Sequence, residues 1–133
     1  MFLLTKQQKK EIEELAQKYG LNFLTLFGSQ AEEKTHKKSD IDLAYSVKKN
    51  LNYKKEYEFI NELRQILKSK KEIELLNLKE ASPLLAKNIA FNGKILAEIT
   101  PHSFANFQMY AFKVFVEAKP LFRLRDRYIS KNL

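Results

Sequence analysis

Apolar positions along the chain change period several times. Over residues 5–19 they recur at helical spacing, with Ile12, Leu15, Ala16 and Tyr19 on one stripe. Thr5 is a cap residue and Gly20 a natural stop. Residues 24–27 form a short, mostly apolar run, the mark of a buried strand, and residues 41–47 form a second apolar strand that carries Asp42. The spacing predicts an amphipathic helix over 51–68, with Tyr53, Tyr57, Ile60, Leu63, Ile66 and Leu67 mostly on one side. A third strand is expected over 72–78. Ser82 and Pro83 then suit the cap and first turn of a helix that stops at Asn92 and Gly93. Residues 94–99 read as a last short strand. From Pro101 the pattern is helical and aromatic, and Pro120 is expected to separate it from a second helical segment.

Strands alternating with helices place the chain in the α/β (α+β) class. Its 133 residues amount to one domain by length, with a core over about 5–99 and a helical segment over about 101–131. An apolar fraction of 44% and ten phenylalanines support a packed globule. With no cysteine there is no disulfide framework and no thiolate metal site, which fits a reducing cytoplasm. No apolar run approaches a membrane span, and Met1 to Leu4 is too short for a signal peptide, so a cytoplasmic protein with no membrane association is expected. Lysine and arginine outnumber acids 24 to 16, a net charge of +8. That balance favours polyanions such as nucleotide phosphates, RNA or an acidic protein surface, and it equally fits a solvated lysine-rich exterior.

The chemistry concentrates between the first two strands. Gly28 and Ser29 close strand one, and a glycine–serine turn lets backbone N–H groups approach a phosphate with no Cβ in the way. Ten residues later come Asp40 and Asp42. Strand residues two apart share a face, so these carboxylates project together, roughly 6.6 Å apart along the chain. Such a pair beside a phosphate-binding turn suits Mg²⁺ and a nucleoside triphosphate, whereas on a solvated edge strand it would be surface polarity alone. Ser39 is placed to hydrogen-bond nearby backbone or the first carboxylate. His36 lies in a lysine-rich stretch and is read as solvent-facing rather than as a ligand or base.

Gly28, Ser29, Asp40 and Asp42, at this spacing, resemble the signature of the DNA polymerase β-like nucleotidyltransferase superfamily. The short length, the stretch 73–78, and the segments beginning at Ser82 and Gly93 resemble its minimal members, antitoxins encoded beside HEPN-domain ribonuclease toxins. The resemblance covers roughly residues 8–98. It implies a small mixed sheet flanked by helices, followed by C-terminal helices. It further implies that a third carboxylate from the neighbouring strand completes a site for two Mg²⁺ ions, and by position Glu74 takes that place. Catalysis and metal binding then fall to Asp40, Asp42 and Glu74, and nucleotide binding to Gly28, Ser29 and Ser39. The implied reaction is transfer of AMP from ATP to a tyrosine hydroxyl of the HEPN toxin. Two departures stand out. Glu33 occupies the place of a second glycine, where an acid would crowd a phosphate, and Glu74 stands where aspartate is commoner.

Two other functions stay open. One is a nucleotidyltransferase acting on a small hydroxylated molecule, although 133 residues barely allow the extra substrate domain of such relatives. The other is an antitoxin that works by binding alone. Nucleic acid is not the expected substrate, since the aromatics fall at helical spacing rather than as a stacking platform. The aromatic, arginine-bearing tail after Pro101 either packs back on the sheet or serves a partner, with homo- or hetero-oligomers both open.

Overall fold

The computed structural model describes residues 4–28 and 40–132. Helix α1 (Lys6–Lys18) leads into strand β1 (Leu21–Phe27), followed by β2 (Ile41–Val47), α2 (Tyr53–Leu67), β3 (Ile73–Asn77), a 3-10 turn (Leu78–Glu80), α3 (Pro83–Asn92), β4 (Lys94–Glu98) and α4 (Ser103–Asn132). The strands form one mixed sheet in the order β3-β2-β1-β4. β1 runs antiparallel to both β2 and β4, and β2 runs parallel to β3.

Local chemistry explains most boundaries. Thr5 Oγ1 accepts from the Gln8 N–H and Gln8 Oε1 accepts from the Thr5 N–H, both at 3.0 Å, a reciprocal capping box. Gly20, at φ +72°, takes the left-handed conformation that turns the chain out of α1. Asn52 Oδ1 caps α2 by accepting from Lys55 N–H at 2.8 Å, and Ser82 Oγ does the same for α3, with Pro83 in the first turn. Gly93 ends α3 for a different reason. Its φ is −70°, but a Cβ there would strike the Ile89 carbonyl.

Each face of the sheet buries its own core. Ile41, Leu43, Tyr45 and Val47 of β2 pack with Leu24 and Leu26 of β1 against α1 and α2. The alternate residues Phe23 and Ala44 face α3 and α4, where Phe23 meets Phe104 edge-on at 5.2 Å between ring centres. With the two central strands mostly buried on both sides, they are mostly apolar at consecutive positions, and Asn22, Asp42 and Ser46 fall where burial is partial.

The structure corrects two readings of the pattern. In α2 the buried residues are Phe59 and Leu63, while Tyr53 and Tyr57 are 90% and 67% exposed. Ile60, Leu63, Ile66 and Leu67 do face the core, so only the two tyrosines leave the expected stripe, because aromatic rings with a polar tip are tolerated at the surface. Pro120 does not divide the C-terminal segment: α4 is one helix of 30 residues that runs through it. Proline removes a single N–H from the ladder, and at this exposed position the carbonyl it would have bonded is open to water. The first part of the tail packs back on the body, with Phe104 and Ala111 buried, whereas Leu121 and Leu124 are exposed.

Candidate active site

The site grows from strand register. Asp42 stands opposite Phe27 of β1 on one side and opposite Glu74 of β3 on the other. Side chains at in-register positions of neighbouring strands share a face. Asp42 and Glu74 thus project together on the α3/α4 side, while their neighbours Ile41 and Ile73 turn to the opposite core. Glu74 is exposed and Asp42 half-buried.

The two carboxyl groups lie side by side in register, close enough to hydrogen-bond when one of them is protonated. Desolvation raises the Asp42 pKa first; the hydrogen bond to Glu74 and the negative charges of Glu74 and Asp40 add to it, and together they push Asp42 from its ordinary 3.8 up to about 6. Asp40 reaches Asp42 through its field. Among the described residues, no three acidic or imidazole side chains converge as a ready-made cation cage. The structure thus joins Asp42 to Glu74 and leaves Asp40 at the margin, half-buried just ahead of β2. Ser29, Glu33, His36 and Ser39 lie outside the described residues.

Gly28 is tied to this pair directly. It sits at φ +74°, and a Cβ added to it would collide with Asp42 Oδ2. The turn and the carboxylate therefore lie on the same side of the sheet, as a phosphate-binding arrangement requires. A cavity of about 440 Å³ opens over the pair, walled by Phe27, Leu75, Leu76 and Leu85. Leu76 was legible from its two-residue spacing to Glu74. Leu85 was not, because only the docking of α3 across the sheet brings it here. A roomier cavity of about 770 Å³ runs between α1 and α2. Glu62 there is already engaged, by Lys18 Nζ at 2.8 Å and the Tyr19 hydroxyl at 2.7 Å, so volume does not mark the chemistry.

The donors are hard carboxylate oxygens crowded enough to retain a proton near neutrality, and this set fits a divalent cation of the Mg²⁺ type. The raised pKa also has a consequence for stability. Between pH 3.8 and about 6 the folded chain binds more protons at Asp42 than the unfolded chain, so its contribution to stability falls as pH rises and is lowest above 6. Allowing for solvent screening at a half-buried group, Asp42→Asn is expected to stabilise the protein by about 1–2 kcal/mol at pH 7.5. Near pH 4 it should do almost nothing. Thermal melts at the two pH values check this, and Mg²⁺ should raise the Tm of the native chain at pH 7.5 but not that of the variant.

A mixed sheet bearing an acid pair beside a glycine turn has known counterparts. The chain belongs to the polymerase beta nucleotidyltransferase family, whose sequence pattern matches residues 10–101. No curated protein matches its sequence. Several solved structures share its fold. One is a chain of a toxin–antitoxin crystal structure with AMP-PNP, 23% identical, with 92% of this chain and 96% of that one covered and a TM-score of 0.71. Another comes from a tri-AMPylated Shewanella oneidensis HEPN toxin in complex with MNT antitoxin, at 22% identity, 96% and 98% coverage and a TM-score of 0.66. A third, from an MntA–HepT toxin–antitoxin complex, gives 22%, 96%, 97% and 0.65. No helix among the described residues is long and apolar enough to cross a membrane.

Proposed function

We propose that this chain is an antitoxin that works as a protein adenylyltransferase, moving AMP from ATP to a tyrosine hydroxyl of a HEPN-domain ribonuclease toxin and so silencing it. The observation that carries the reading is the hydrogen-bonded Asp42–Glu74 pair held against the Gly28 turn. Support comes from the fold shared with a chain crystallised with AMP-PNP and with one from a complex whose toxin is tri-AMPylated.

In this scheme Asp40, Asp42 and Glu74 would hold Mg²⁺, which when bound neutralises triphosphate charge and acidifies the acceptor hydroxyl. Gly28, with Ser29 and Ser39, lets the triphosphate lie close to the backbone. Phe27, Leu76 and Leu85 exclude water on the apolar side. The acceptor oxygen forms a bond to the α-phosphorus while the bond to the β-phosphate oxygen breaks and pyrophosphate leaves. The hydroxyl proton passes to a carboxylate oxygen of Glu74, the more exposed member of the pair.

The test is label transfer with Mg²⁺, using ATP labelled at the α- or γ-phosphorus and the HEPN-domain protein encoded beside this chain. Label from the α position alone should appear on that protein. Label from the γ position, or neutralisation with no label at all, would overturn the reading, the latter in favour of an antitoxin that acts by binding.

A further inference from the structure

A second cavity, of about 640 Å³, lies on the same sheet face as the acid pair but toward the other end of β2. Asn22, Ser46 and Thr100 form its polar side and are already bonded to one another. Asn22 Nδ2 donates to Ser46 Oγ at 3.2 Å, and Thr100 Oγ1 donates to Asn22 Oδ1 at 2.9 Å. Lys48 and Lys79 add two exposed cations, and Phe107, Tyr110 and Val114 of α4 form an apolar wall.

That wall continues outward. Tyr110, Val114, Leu121, Leu124 and Tyr128 fall on the alternating three- and four-residue spacing of a heptad seam that Glu117 interrupts once, and Leu121, Leu124 and Tyr128 are 67%, 63% and 68% exposed. Beside the seam, Lys119, Arg123, Arg127 and Lys131 recur every fourth residue, so they line one side of the helix. From Lys119 to Lys131 every residue except Phe122 is exposed. The outer half of α4 therefore carries an apolar stripe, with a cationic ridge along it, that the chain's own core does not cover.

We propose that this cavity and the outer half of α4 form one continuous docking surface for an acidic amphipathic helix of the partner protein, one of whose apolar side chains fills the cavity. The charge selects the occupant. Residues 119–132 hold five basic side chains against the single acid Asp126, and the whole chain stands at +8, so a second copy would set like ridges against each other. An apolar seam flanked by cations is instead complementary to a helix whose apolar face is edged by aspartate and glutamate. Only the partner's identity, the HEPN toxin, rests on the proposed function. The surface lies apart from the acid pair, so docking and chemistry can be lost separately.

The experiment measures capture of the HEPN-domain protein encoded beside this chain, by biolayer interferometry, alongside the label transfer described above. Leu121→Asp with Leu124→Asp is expected to weaken capture at least about thirtyfold, as loss of a central apolar contact does. Arg123→Glu with Arg127→Glu should weaken it about tenfold and flatten its dependence on salt. All four positions are exposed, so the melts should match that of the native chain. Capture unchanged in both variants would overturn the inference while leaving the adenylyltransferase reading to its own label. So would a native chain that captures no partner, or sedimentation showing that the Leu121 and Leu124 changes dissolve a homodimer instead. Native capture lost in both variants, without label transfer, would uphold the surface and overturn the enzyme.

Discussion

Under the proposed function, Asp42→Asn is expected to lower AMP transfer by about 10²–10³-fold, the size of loss seen when one group of a preorganised charge-stabilising site is removed, because the charge that would hold the cation is gone. The exchange keeps the side chain's shape and removes only its negative charge. The same variant should melt higher than the native chain at pH 7.5, because the repulsion from Glu74 and Asp40 disappears. A protein that is both more stable and inactive cannot owe its inactivity to misfolding. Paired readings of initial rate and Tm therefore decide the role of Asp42 in one preparation. A rate within tenfold of native would remove the acid pair from the chemistry. The trade is physically sensible, since under the proposed function the carboxylates must stay crowded to hold a cation, even though the fold alone would be more stable without one of them.

Gly28→Ala is the second large effect. The residue's left-handed backbone alone costs a non-glycine side chain about 1–2 kcal/mol, and the new methyl would also occupy the place of Asp42 Oδ2. To fit it, β1 or the carboxylate must shift, and a misplacement of about 1 Å at a reacting centre costs on the order of a hundredfold in rate. Gly20→Ala supplies the control. Gly20 has nearly the same φ, +72°, yet nothing lies within 4 Å of where its Cβ would be. Gly20→Ala should show the backbone cost alone and keep transfer, whereas Gly28→Ala should lose more stability and lose transfer. Gly28→Asn sharpens the comparison, because asparagine tolerates positive φ but still carries a Cβ. If Asn restored the rate, backbone strain rather than the clash with Asp42 would be the cause.

Much of this was legible in the residues themselves. Strand β2 falls where its apolar run lies, and Thr5, Gly20, Ser82 and Pro83 mark boundaries because capping is decided within a single turn. The meeting of Asp42 with Glu74 follows from two-residue periodicity once the strands are taken as neighbours. What could not be read depended on distant packing. The phase of α2 is set by where Phe59 enters the core, and Leu85 reaches the cavity only because α3 crosses the sheet. Pro120 misled because its local rule was outweighed by long helical stretches on both sides.

The parallel pairing of β2 with β3 has a consequence for how the site comes into being. Parallel neighbours cannot be joined by a tight turn; the chain must leave the sheet through α2 and return before Glu74 can lie beside Asp42. The antagonism between the two acids is thus absent while the chain is still collapsing, and arises only when the crossover has seated itself.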